Sequence, residues 1–362
     1  MFSRSLFGAA CVLAVCGTVG AVSVGQAASS DAKPQPASPS AEDVIEQVSE
    51  APAAVPQPES TVAKVAQEEA QSFWWRGRSG RVQVALGEPG MKVLPPPGTP
   101  ENARYRWVEL VTRKVSAQGE LSVEAPEVVT PPTVGAYRLE VAEKTTGKRA
   151  PKFRAVGIPV ITRTHFANDR THLNGYHIGR HPGRTRTGEY AAPERFVEVP
   201  KRLASLQVSE HFTLGQFLTK DQKRVWPKYI PLDARLLDKL ELIIDELRAE
   251  GIPARRVHVM SGYRTPQYNG PGGRGRAKFS RHTYGDAADI WVDDDGDGYM
   301  DDLNRDGRRD DYDAEFLARI STRVEEKYPE LAGGAGIYKS RPHRGPFTHV
   351  DVRGTQARWS LR

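Results

Sequence analysis

The spacing of apolar and polar positions changes several times along the chain, and each change marks a segment. After Arg4, a mostly apolar run from Leu6 to about Val24 leads to small residues at Gly25, Ala27 and Ala28. That order predicts a secretory signal peptide over residues 1–28. Residues 29–71 contain no aromatic residue and are rich in Ala, Pro, Ser, Gln and Glu, so they bury too little surface to offset ordering entropy and are expected to form a disordered tether. From residue 72 to about 161 the period becomes two: Val82, Val84 and Leu86 alternate, as do Tyr105, Trp107 and Glu109, and Tyr137, Leu139 and Val141. Breaks rich in Gly and Pro at 87–100 and 131–135 separate these runs, which predicts an all-β, immunoglobulin-like sandwich. Trp74 and Trp75 at its edge suit either a sugar-stacking platform or, more commonly for such residues, packing.

Residues 162–206 show little periodicity and are basic and His-rich, which reads as a solvated or envelope-contacting connector. His165, His172, His177 and His181 lack acidic neighbours there and are interleaved with arginines, which argues against a cation site. Beyond it, Leu232, Leu236, Leu237, Leu240, Ile243, Ile244 and Leu247 recur at helical spacing between Asp233 and Gly251. Val257, Val259 and Met260 suit a strand, and Phe316 to Val324 a second helix. The part from 207 to 362 is therefore expected to be α+β, and the whole chain multi-domain.

Charge adds a contrast between segments. The chain carries a formal +6, yet eight acids in residues 31–71 face only Lys33 and Lys64, so the folded part is more basic than the total suggests. A basic body points to an anionic neighbour, and with an export signal that neighbour is expected in the cell envelope. Nucleic acid is not expected, because the basic residues are not arranged around aromatic stacking positions. The only cysteines, Cys11 and Cys16, lie in the apolar run, so any metal site must use His, Asp and Glu. Leu13-Ala14-Val15-Cys16 loosely resembles a lipoprotein processing box, but bulky Val15 stands where a small residue belongs. Lipid attachment at Cys16 is the lesser alternative to cleavage. The run is short and interrupted by glycine, so no membrane span is expected.

Two constellations carry chemistry. In "SRHTYGDAADI" (280–290), His282 and Asp289 are separated by small residues that suit a tight turn entering a strand. In "PFTHVDV", alternation places Phe347, His349 and Asp351 on one strand face. His282, Asp289 and His349 make a three-donor nitrogen and oxygen set that suits zinc with one position open. The second constellation is "DDDGDGYMDDLNRDGRRDDYD" (293–313). One calcium-loop register gives Asp293, Asp295, Asp297, Asp301 and Asn304, and another, nine residues on, gives Asp302, Asn304, Asp306, Asp310 and Asp313. Gly298 and Gly307 stand at the sixth positions, where the chain turns sharply. The overlap resembles thrombospondin type 3 or dockerin repeats more than a paired sensor, and calcium here would be structural.

Four motifs in order, "SGYRTPQYN" (261–269), "SRHTYGDAADI", "GAGIYKS" (334–340) and "FTHVDVRG" followed by "RW" (347–359), resemble those of the M15 zinc peptidases, D-alanyl-D-alanine carboxypeptidases and peptidoglycan cross-link endopeptidases. The nearest likeness is to the branch whose last motif reads His-x-Asp. The resemblance spans roughly 170–362, leaving out the β domain and tether. It implies a hedgehog/DD-peptidase type of fold, zinc on His282, Asp289 and His349, and Arg264 facing a substrate carboxylate or developing oxyanion. It also implies peptidoglycan peptides as substrate and a periplasmic or envelope location. Many relatives carry a glutamate base three residues before the last histidine, where this chain has Pro346. Asp351 is the favoured candidate for that base and His343 the second, while a partner orienting a zinc histidine is the alternative role for Asp351. Ser280 is a further candidate for orienting His282. The competing function is a non-catalytic, calcium-stabilised envelope-binding protein on a peptidase fold.

Overall fold

The computed structural model describes residues 72–144, 150–167, 169–182, 190–272 and 276–361. The expected signal peptide, the Cys16 alternative and the tether all lie outside these residues. No helix among the described residues is long and apolar enough to cross a membrane.

The alternating segment folds as β strands, with seven elements: β1 (Ala85–Gly87), β2 (Lys92–Val93), β3 (Ala103–Glu109), β4 (Val115–Leu121), β5 (Val128–Val129), β6 (Gly135–Glu143) and β7 (Arg154–Thr162). Five form one sheet in the order β1-β7-β6-β3-β4, with β1 parallel to β7, while β2 and β5 pair separately. Inward side chains of the five-stranded sheet, Trp107, Leu121, Leu139, Val141 and Val160, make a separate core with Val128 of β5. Trp74 belongs to that core: it is buried, and its Nε1–H donates to the Leu94 carbonyl at 2.8 Å. Packing is therefore its role. Trp75 remains partly exposed.

Residues 162–206 do more than connect. They supply β8 (Thr164–His165), β9 (His172–Leu173), β10 (Tyr176–His177) and β11 (Arg195–Val199), and β11 lies between β8 and β12 (Lys228–Ile230). Phe166, Tyr176, Ile178, Phe196, Val197 and Val199 sit in the main core with the leucines of the helical stripe. The solvated-connector expectation fails because these apolar residues come singly or in pairs among polar and charged ones, so no period reveals them. His181 is buried against the Thr283 carbonyl at 2.7 Å, and burial pushes its pKa down to about 4.

The stripe becomes α1 (Ala234–Ala249), with the Asp233 carboxylate accepting from the Arg235 N–H as N-cap. Next come β13 (Val257–Ser261), the short α2 (Pro266–Asn269), β14 (Ala287–Val292), α3 (Asp311–Lys327), β15 (Gly334–Tyr338), β16 (Phe347–Asp351) and β17 (Ala357–Leu361). The second five-stranded sheet runs β13-β14-β16-β15-β17, antiparallel except for β15 with β17. Ala288, Ile290 and Val350 point from it into the core, while the Thr348 hydroxyl ties β16 to α3 by donating to the Ala314 carbonyl at 2.7 Å. The α+β character expected of 207–362 is what forms there. The carboxylate-rich stretch after β14 leads into α3.

Candidate metal centre and its cleft

Strand register builds the site. Asp289 on β14 lies opposite His349 on β16 and opposite Ser261 on β13, so Asp289 and His349 project from the same face. His282 arrives from the 3₁₀ turn Arg281–Tyr284, which Gly285 ends in the left-handed conformation at φ +75°, where a Cβ would lie 2.1 Å from the Pro231 carbonyl oxygen. Buried Arg281 pairs with Asp286 across that turn. The sequence of small and turn-forming residues thus delivers a histidine next to a strand aspartate.

The donor atoms converge. His282 Nε2 lies 3.0 Å from Asp289 Oδ1, His349 Nδ1 lies 3.1 Å from the same oxygen, and the two nitrogens are 3.1 Å apart. All three residues are buried. Their outer atoms are already assigned: His282 Nδ1–H donates to the Gly262 carbonyl at 2.7 Å, and His349 Nε2–H donates to Asp351 Oδ2 at 3.0 Å. Gly262 is glycine for a steric reason, since a Cβ there would sit 2.6 Å from the Phe217 Cα.

With both outer nitrogens protonated, the inner nitrogens present lone pairs to each other and to a carboxylate oxygen. Such a cluster is stable only around positive charge. Where no cation is held, a proton supplies that charge: burial lowers the His282 pKa, whereas His349, despite burial, is raised to about 9 by Asp289 and Asp351, so its inner Nδ1 carries a proton that a metal ion would displace. Burial opposes the charged form of Asp289, but the facing histidines hold its pKa well below the usual carboxylate range. Two imidazoles and one carboxylate are donors that suit zinc, so the residues fit that ion.

Asp351 departs from the favoured expectation. Strand alternation does put it on the face of His349, but its Oδ2 takes the His349 Nε2–H, the nitrogen turned away from the donor cluster. Arg353 grips it through Nε at 2.9 Å and Nη2 at 2.6 Å, and the Gly334 N–H adds 2.8 Å. With every lone-pair direction used and no exposure, Asp351 orients His349 and does not reach a water among the donors. We expect Asp351→Asn to lower zinc affinity by about ten- to a hundred-fold, with saturating zinc restoring much of the activity. Metal titration with parallel turnover checks this; full zinc retention with activity abolished would return the base role to Asp351.

His343 lines a neighbouring cavity with Asp297, Tyr299 and Arg309, and is not among the residues lining the cleft beside Asp289. Ser280 makes no side-chain cap; its carbonyl accepts from Thr283, and Gly262 takes the orienting role expected of it. Arg264 is brought to the site, donating from Nη2 to Asp289 Oδ2 at 2.6 Å and from Nε to Ser261 Oγ at 2.9 Å. It lines a cleft of about 420 Å³ together with Asp289, Tyr268 and Tyr338. Burial raises the Tyr338 pKa, so its phenol stays protonated as a donor. Trp359 covers His349, with ring centroids 5.2 Å apart.

The repeats at 293–313 are visible as turns. Asp293 Oδ2 accepts from the Gly298 N–H at 3.1 Å, and nine residues on Asp302 Oδ2 accepts from Gly307 at 2.8 Å. Asp293, Asp295 and Asp297 form a carboxylate group, with Arg309 bonded to the latter two. The remaining positions differ from expectation. Asp310 caps α3, Asp313 is buried accepting from the Leu303, Asn304 and Asp310 N–H groups, and Asp301 holds the Asp294 N–H at 2.7 Å. Helix initiation uses Asp310 and Asp313, which leaves the second turn with Asp302, Asn304 and Asp306.

Residues 220–316 match the family model described as Peptidase M15, a stretch containing His282 and Asp289 and ending before His349. That stretch is similar to M15 peptidases. M15 is a family of zinc metallopeptidases, and the His-Asp-His donors are a group able to bind the metal that family uses. Comparison with curated proteins and with solved structures returns no match.

Proposed function

We propose that the protein is an exported zinc metallopeptidase that hydrolyses peptide bonds in peptidoglycan stem peptides or their cross-links. The observation that carries this reading is the convergence of three donor atoms within 3.1 Å, with both histidines held by outer acceptors so that the other ring nitrogen of each faces Asp289. Zinc bound there supplies Lewis-acid polarisation of the scissile carbonyl and a water of lowered pKa. Arg264 and Tyr338 line the cleft with Asp289, which supports a role for them as donors to the oxygen on which negative charge develops. Zymography on purified sacculi with and without chelator tests it, the expected result being clearing that chelator abolishes and zinc restores.

A specific observation favours the second reading, a non-catalytic envelope-binding protein. Among the described residues lining the cleft, Asp289 is the sole carboxylate, Pro346 replaces the glutamate of many relatives, and Asp351 is turned away. Metal-dependent binding to sacculi with no release of peptide would select that reading.

We also propose structural calcium at 293–313, supported by the repeated carboxylate turns around Gly298 and Gly307. Calcium at about a hundred times its Kd should stabilise the fold by about 2.7 kcal/mol, seen as a raised Tm. A variant with Asp295, Asp297 and Asp306 changed to Asn should lose that response; an equal rise in both proteins removes calcium from the account.

A further inference from the structure

The cleft beside Asp289 is lined by four cationic side chains, Lys220, Arg264, Arg276 and Arg344, against that one carboxylate. Arg264 is committed to Asp289. For the other three, no carboxylate partner exists among the described residues. Surface cations are ordinarily solvated and uninformative, but two of these are held in place. Arg276 donates from Nη1 to the Tyr268 carbonyl at 2.6 Å and lies 4.5 Å over that residue's ring. Arg344 lies 4.3 Å over the Phe347 ring and donates from Nη2 to the Lys339 carbonyl at 3.3 Å, while its Nε is buried with no hydrogen-bond partner among the described residues. A buried guanidinium N–H without an acceptor costs free energy unless a ligand supplies one. Planar, pre-positioned guanidinium groups suit carboxylates, which they bind in pairs of hydrogen bonds.

We propose that Lys220, Arg276 and Arg344 make this cleft select peptides carrying at least two free carboxylates, and discriminate against the same peptides with those groups amidated. This rests on the peptidase reading for the class of ligand, and it adds the charge state of the substrate. Each carboxylate paired with a fixed guanidinium is worth about ten- to a hundred-fold in affinity.

The test uses the full chain loaded with zinc and a synthetic tetrapeptide with one side-chain and one terminal carboxylate, compared with its bis-carboxamide. Calorimetry should show the acid form binding about a hundred-fold more tightly, with the preference weakening as salt rises. In Arg276→Gln/Arg344→Gln the preference should fall below about five-fold, with zinc content and Tm unchanged. Equal affinities in the unaltered protein, or undiminished preference in the double variant, would overturn the proposal. Hydrolysis of both peptides is followed in parallel. Cleavage without preference removes this inference and leaves the peptidase reading standing. Carboxylate-dependent binding lost in the double variant, without cleavage of any peptide, upholds the inference and removes the peptidase reading.

Discussion

Replacing His282 by Ala should remove the tightly held zinc and lower peptide hydrolysis by about a thousand-fold or more. The size follows from the chemistry lost: Lewis-acid stabilisation is worth several kcal/mol, and each 1.36 kcal/mol is tenfold in rate. The remaining pair, Asp289 and His349, retains only two donors, and the space left by a side chain that is 2% exposed admits water. His282→Ala also frees the Gly262 carbonyl that accepted the Nδ1–H. Metal analysis after dialysis, with a melting scan to establish that the fold persists, checks the outcome. Full zinc retention by a folded, active variant would mean that the donors are misassigned.

A second large effect is expected outside the cleft. Lys239 on α1 and Glu325 on α3 are both fully buried, 2.6 Å apart, and the Lys239 ammonium also donates to the Asp351 carbonyl at 2.8 Å. Arg358 on β17 reaches the other oxygen of Glu325 at 2.6 Å. Burial pulls the Lys239 pKa down and Glu325 opposes it, so the ammonium depends on its partner to stay charged. Glu325→Ala leaves a buried cation facing only a carbonyl, at a cost of about 3–5 kcal/mol. For a domain of this size that lowers Tm by about 10 °C. The double change Lys239→Met/Glu325→Leu should be far milder, because the one charge it leaves without its carboxylate, Arg358, is partly exposed to solvent. If Glu325→Ala melts like the unaltered protein, the pair has no such role. Because the same network holds the strand bearing Asp351, Glu325→Ala is also expected to weaken zinc binding.

What the sequence made legible had local causes. His282 and Asp289 share one motif, and His349 sits on a strand whose alternation is plain, so the three donors could be named before the fold was known. The stripe from Leu232 to Leu247 likewise specifies α1, with Asp233 capping it as its position implies. Hidden features depend on partners distant in the chain. Periodicity marks one apolar face of α1, yet Asp238, Lys239 and Glu241 are buried as well. Their partners come from Arg78 and Ser79, from Glu325 and from His211. No local pattern announces a salt bridge spanning 86 residues of chain. Asp351 shows the same limit: alternation assigned its face correctly, but Arg353 and Gly334 decide where its oxygens point. The cationic cleft is assembled from four separate segments; Arg264 stands in a motif, whereas Lys220, Arg276 and Arg344 read in sequence only as part of a generally basic body.

The central claim, that three buried side chains from two motifs hold one catalytic zinc, is tested most directly by zinc titration of the chelated full-length protein, with bound metal and sacculus hydrolysis measured on the same samples. Calcium is kept saturating, so that the carboxylate turns at 293–313 do not compete for zinc. The account predicts that hydrolysis rises in step with the first equivalent of zinc and levels there. In His349→Ala no equivalent should bind tightly and no hydrolysis return. Hydrolysis by the metal-free protein, or one tight equivalent in His349→Ala with activity restored, would contradict it.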